Sequence, residues 1–254
     1  MADAHLHDSA GQPWAGRRFS PTAFGDDDGS APAAVLAALL AHRDGSGSPE
    51  AVLDSLRGER LMVPLVAHLG ESDQNEHGLT VDKTQELSIV TVTGPDGRRV
   101  LPAFTSVAAL AVWRAEARPI PTEAVRVALA AASEGTELVV LDPGSDTEFV
   151  LRRSAIRALA ESSPWVSAHR DPEILSAVSA AGAAEPAIAS VSLHDGDPSA
   201  RLTGPELLIE LTLIPGLRRE QLDEVIARVS AAWAADPVIV ERVDSLGLRL
   251  RSAP

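Results

Sequence analysis

Between Val100 and Trp113 the chain switches hydrophobic period within two residues, and few folds accommodate that. Val100-Leu-Pro-Ala-Phe104 is a continuous apolar run of strand type, Thr105-Ser106 is a corner, and Val107 to Trp113 is an alanine-rich helix. Either hydroxyl can cap that helix, because Ser and Thr oxygens accept from first-turn N–H groups that lack an intrahelical partner. Val107, Leu110, Ala111 and Trp113 supply its buried side. The arrangement calls for a sheet with a helix laid on it. It also aims a helix N-terminus outward, where unpaired N–H groups and the macrodipole favour an anion. Two readings follow: a capped helix packed on its sheet, or an anion-binding corner.

The flanking sequence builds on this unit. Residues 1–30 form a polar N-terminal arm, with Trp14 and Phe19 able to lie on the body. Helices are expected over Ala33–His42 and from Pro49, capped by Ser48, to Leu56. Arg60–Ala67 reads as a strand, at an edge or bulged because Pro64 cannot donate to a ladder. Glu86–Thr93 is a second strand, and Gly94-Pro-Asp-Gly97 turns it into Arg98–Leu101. Pro119-Ile-Pro121 is extended, Thr122 is placed to cap a helix running to Gly135, and Glu137–Leu141 is a buried strand. Residues 161–186 change composition and read as a connector.

The last segment is an α+β unit. Ala187–Leu193, Glu206–Leu213 and Val238–Val243 read as strands, and Arg218–Ala234 as a helix with Leu222, Val225, Ile226, Val229 and Trp233 on one side. Leu246, Leu248 and Leu250 alternate with Gly247, Arg249 and Arg251, the period of a half-buried final strand. The expected fold class is α+β. An N-terminal mixed α/β sheet domain over residues 31–165 precedes a smaller antiparallel α+β domain over residues 187–254.

Composition excludes several chemistries. The chain has no cysteine, hence no disulfide, thiolate metal site or thiol nucleophile. Lys83 is the only lysine, and it sits in Asp-Lys-Thr-Gln-Glu rather than a phosphate-gripping glycine loop. A net charge of −14 with scattered arginines argues against nucleic acid and anionic lipid as partners. No apolar run approaches the ~18 residues of a membrane span, and the start carries no secretory leader, so a cytoplasmic protein is expected.

Each polar cluster also has a plain structural role open to it. His5-x-His7-Asp8 lacks further fixed ligands for a metal, and Asp26-Asp27-Asp28-Gly29 lacks the closing Glu of a calcium loop. Asp142, Asp146 and Glu148 form the densest carboxylate cluster, in a Gly/Ser/Pro turn. His194-Asp195-Gly-Asp197 fits a polar β-hairpin loop as well as an acid/base or metal site. No metal, cofactor or catalytic residue is assigned from any of them.

The motifs also resemble a known family. Asp82-Lys83 ahead of a strand, Gly97-Arg-Arg-Val-Leu-Pro-Ala-Phe104-Thr105-Ser106, Trp113 followed by Arg118-Pro-Ile-Pro121, and Leu138-Val-Val-Leu-Asp142-Pro143 resemble the SseB (enhanced serine sensitivity) proteins. Gly11-Gln-Pro-Trp-Ala-Gly16 and Phe24-Gly-Asp-Asp-Asp-Gly29 are similar to the leader of actinobacterial members. The resemblance covers about residues 31–165 and implies an α+β fold, a cytoplasmic protein and a link to serine or amino-acid metabolism. It carries over no catalytic residue.

The first functional expectation is a non-catalytic module that binds a protein partner or a small anionic ligand. For the ligand, the candidate residues are Thr105 and Ser106 at the helix end with Arg114 and Arg118. The alternative is a small-molecule hydrolase or transferase using His68, His169 or His194 with nearby carboxylates, although Ser106 is not in Gly-x-Ser-x-Gly.

Overall fold

The computed structural model describes residues 24–67, 87–133 and 135–253. The His5-x-His7-Asp8 cluster, Trp14, Phe19, His68 and Lys83 lie outside them.

In chain order the elements begin with helices α1 (Ala33–Arg43) and α2 (Pro49–Ser55) and strands β1 (Arg60–Ala67), β2 (Leu87–Ile89), β3 (Val92–Thr93) and β4 (Arg99–Ala103). Helix α3 (Val107–Trp113), strand β5 (Arg118–Glu123), helix α4 (Ala124–Ser133), strands β6 (Val139–Leu141) and β7 (Phe149–Leu151) and helix α5 (Arg153–Ala160) follow. After a 3₁₀ turn at Ala168–Arg170 come α6 (Pro172–Ala183), β8 (Ile188–Asp195), β9 (Leu207–Leu213), α7 (Arg219–Ala235), α8 (Pro237–Arg242) and β10 (Leu246–Ser252). Helices and strands mix as an α+β fold. Among the described residues no helix is long and apolar enough to cross a membrane.

The first part of the chain holds two sheets, ordered β2-β1-β5 and β3-β4-β6-β7. A reciprocal bridge joins them: Met62 N donates to Phe104 O at 2.7 Å, and Phe104 N to Met62 O at 2.9 Å. Glu86–Thr93 is therefore not one strand, since β2 pairs in the first sheet and β3 in the second. The β4–β6 pairing is parallel, with α3, β5 and α4 between them in sequence.

Pro64 corrects an expectation, because β1 is central and not an edge. Ala124 N donates to Glu59 O at 2.9 Å, which sets the ladder phase so that Pro64↔Pro119 and Met62↔Pro121 are non-hydrogen-bonded pairs. Pairing with β2 starts only at Leu65. No ladder position asks Pro64 for an N–H, so a central strand tolerates it.

Thr122 likewise lies inside β5, and its hydroxyl donates to Ile120 O at 3.3 Å without capping α4. The N-terminal core gathers Val35, Leu39, Leu53, Leu61, Leu101, Val127, Leu141, Phe149 and Leu159 between these sheets and α1, α2, α4 and α5.

In the last part, β8 and β9 pair antiparallel as expected, whereas β10 joins β9 in parallel. The α7–α8 crossover returns the chain to the same end of the sheet, which makes that direction necessary. Val238–Val243 was expected as a strand and is instead the helix α8. Asp236 accepts from Val238 N (2.9 Å) and Ile239 N (3.2 Å), and Pro237 occupies the first helical position. Cap and proline outweigh the strand preference of Val and Ile. Leu207, Ile209 and Leu211 pack under α6, α7 and α8 with Ile174, Val178, Val229, Trp233 and Ile239.

Candidate functional site

The Thr105–Ser106 corner is closed by the protein's own groups. Asp142, at the end of β6 with a left-handed φ of 44°, accepts from Thr105 N (2.8 Å), Thr105 Oγ1 (2.8 Å) and Thr147 Oγ1 (2.9 Å). From the other side Arg60, nearly buried, donates to Thr105 O at 2.5 Å and forks onto Asp27 at 2.6 and 2.8 Å. That hydrogen bond from Arg60 holds the Asp27 carboxyl below its ordinary range. Ser106 Oγ accepts from Ala109 N at 3.0 Å, and Val107 N donates to Gly29 O at 2.9 Å.

Of the expected ligand residues, Thr105 and Ser106 stand at the N-terminal end of α3. The α3 helix has seven residues, about 10 Å in length, and Arg114 caps its far end. Arg114 lies over the Trp113 ring at 4.8 Å, with Nε 3.5 Å from Glu116. Arg118 is exposed at the start of β5, opposite Leu65. The hydrophobic pattern marks the helix but not the acceptors arriving from Gly29 and Asp142, which lie far away in sequence.

The other polar clusters also build structure. Glu148 accepts from Gly144 N at 2.5 Å, closing the Asp142–Glu148 turn. Asp197 organises its own loop, accepting from Leu202 N (2.8 Å), Thr203 N (3.2 Å) and Thr203 Oγ1 (2.8 Å). His194 Nε2 pairs with Ser192 Oγ at 3.1 Å, and His169 sits in the 3₁₀ turn. Among the described residues no histidine hydrogen-bonds Ser106.

A buried polar junction ties the two parts of the chain together. Arg152 Nη2 donates to Asp197 at 2.6 Å and its Nη1 to Asp244 at 2.9 Å, while Arg98 Nη1 reaches both Asp244 oxygens at 2.8 and 2.9 Å. Burial pushes the Asp244 carboxyl upward, but hydrogen bonds from Arg98 and Arg152 outweigh it and hold the group below its ordinary range. Next to it Glu206 is pushed up to about 7, chiefly by burial and further by the Asp244 charge. Glu206 accepts from Asp244 N at 2.5 Å and from Ser154 Oγ at 3.2 Å. A cavity of about 50 Å³ adjoins it, lined by Phe149, Trp165 and Ala168 and also by His169, Asp195, Asp197 and Glu206 itself. That volume has room for a few waters.

The free edge of the last sheet is different, because its groups are not consumed. Among the described residues the strand order is β10-β9-β8, so one side of β10 has no described neighbour. Leu246, Leu248 and Leu250 stand opposite the fully buried Leu207, Ile209 and Leu211, yet are 41%, 36% and 39% exposed. The helices cover β9 and stop short of β10. Trp233, Ile239, Val240 and Val243 line a groove of about 400 Å³ beside the leucines. On the opposite face Glu210 holds Arg249 (3.5 Å) and Arg251 (2.9 Å). The leucine alternation identified this strand, but periodicity alone assigns the row to a covered face.

Residues 33–158 match the family model described as SseB protein N-terminal domain. No curated protein and no solved structure matches the chain.

Proposed function

For this chain, which belongs to the SseB family through residues 33–158, we propose a non-catalytic protein-binding module that takes up an extended segment on the free edge of β10. The observation that carries this reading is the half-exposed leucine row at an unpaired strand edge, flanked by an apolar groove. Strand addition uses such an edge: backbone groups supply the hydrogen bonds, and alternate side chains supply the contacts. The first part of the chain serves as a rigid support, fixed to the last sheet by Arg98, Arg152, Asp197 and Asp244. A small anionic ligand at Thr105–Ser106 is not part of the proposal, since Asp142, Gly29 and Ser106 already take the donors there. A hydrolase or transferase role is not part of it either: Asp142 and Glu148 serve turns, and Ser106 caps α3. The cytoplasmic setting and the link to serine metabolism belong to the proposal as implications of the family.

The test compares the proteins that co-purify from native lysate with the wild-type chain and with Leu248→Pro. Proline is tolerated where an edge N–H faces outward. Partners lost from the variant support the reading, and an unchanged set overturns it.

A further inference from the structure

We infer that the segment received at this edge is β10 of a second copy of the chain, pairing antiparallel about a twofold axis at Leu248. The inference rests on the strand-edge reading and adds its occupant.

Backbone phase comes first. Leu207 N donates to Ser245 O at 3.1 Å, and Ala253 N to Leu213 O at 2.8 Å. The odd-numbered residues of β10 therefore turn their backbone groups toward β9. Leu246, Leu248, Leu250 and Ser252 direct N–H and C=O to the open side. An antiparallel partner must form its hydrogen-bonded pairs with these four residues.

Charge then selects the register. Twofold pairing centred on Arg249 uses the same donors, but it sets Arg249 against its own copy at a close non-hydrogen-bonded pair, where like charges repel. Pairing centred on Leu248 places Leu248 opposite Leu248 and Leu246 opposite Leu250. Arg249 then faces Gly247, which has no side chain to meet it. The leucine rows of the two copies become one apolar stripe, each shielding the other's exposed flank.

Net charge restricts where two copies can meet. Two chains of −14 repel over most of their surface. Strand β10 carries no Asp or Glu, and its two arginines share the single carboxylate of Glu210 in the same chain. Contact at this edge brings no strand carboxylates together.

Sedimentation equilibrium of the full chain over a concentration series tests the inference. The expected result is a dimer, with Leu248→Pro and Leu248→Asp monomeric at unchanged far-UV circular dichroism. Because the chain has no cysteine, Leu248→Cys provides a separate reading of register. Paired Cα atoms about 5.5 Å apart lie within disulfide range, so this variant oxidises to a covalent dimer while Arg249→Cys does not. Several results overturn the inference: a wild-type chain monomeric throughout, a dimer that survives Leu248→Pro, or crosslinking by Arg249→Cys alone. A monomeric wild type that still loses its co-purifying proteins on Leu248→Pro would remove the second copy and leave the strand-edge reading. Unchanged behaviour of Leu248→Pro in both experiments would remove both.

Discussion

The Arg152 guanidinium lies 2.6 Å from the Asp197 carboxylate, with side-chain exposures of 8% and 2%. The same arginine reaches Asp244, which is 1% exposed, at 2.9 Å. One cation thus compensates acids from two segments of the last part of the chain. Removing one partner of a buried pair leaves charge uncompensated, which costs about 3–5 kcal/mol. Arg152→Met is expected to lower unfolding stability by that amount in urea titration. Arg152→Lys should recover only part of it, since an ammonium lacks the planar fork that serves both acids. A loss under about 1 kcal/mol for Arg152→Met would show that the junction does not depend on this residue.

Glu206 gives the junction a pH dependence. Its folded pKa is pushed up to about 7 from an ordinary 4.5, first by burial and then by Asp244. The folded state therefore binds the proton more tightly than the unfolded chain. Its contribution is fully present below about pH 4.5 and is lost as pH rises through 7. The window is worth about 3 kcal/mol. Glu206→Gln keeps an acceptor for Asp244 N and removes the titration. It should be more stable than wild type at pH 8, with the advantage shrinking by pH 5, as read from urea midpoints. The Asp244 carboxyl, held low by Arg98 and Arg152, acts in the opposite sense only at acid pH, where protonation destabilises the fold. An equal wild-type-to-variant difference at pH 5 and pH 8 would refute the assignment.

Local pattern carried the reading of this chain where one segment decides its own conformation. The Gly94–Gly97 turn, the Ser48 and Ser106 caps and the amphipathic face of α7 were all legible, since each depends on residues within a few positions. What escaped depends on partners far away. Pro64 is acceptable in a central strand only because the ladder phase turns its nitrogen away from β5 and β2 begins one residue later. Asp142 looked like part of a carboxylate cluster in a wet turn, yet a backbone N–H 37 positions earlier claims it. Leu246, Leu248 and Leu250 have the period of a covered strand, and only the helix placement leaves them open.

Helix α8 turns on one carboxylate. Asp236 receives Val238 N and Ile239 N, and without it a Val-Ile-Val run would favour an extended chain. Asp236→Ala should cost about 1 kcal/mol and speed amide exchange across Pro237–Arg242. Asp236→Asn, which also accepts, should lose little. Exchange rates unchanged in Asp236→Ala would mean that packing of Ile239 alone holds the helix.

The corner around Thr105 is expected to behave as a coupled unit. Thr105→Val keeps the shape but removes one donor from Asp142, at a cost of about 1–2 kcal/mol. Asp142→Ala frees Thr105 N, Thr105 Oγ1 and Thr147 Oγ1 together, and should cost about 3 kcal/mol. Asp142→Asn adopts the left-handed backbone readily but offers one acceptor oxygen instead of two, so it falls between. Once Asp142 is gone, the Thr105 hydroxyl has no carboxylate to serve. The double variant should therefore cost less than the two losses combined, by about 1 kcal/mol. Strict additivity in the cycle would show that the two side chains act independently. The corner would then have to be held by Arg60 and Asp27 instead.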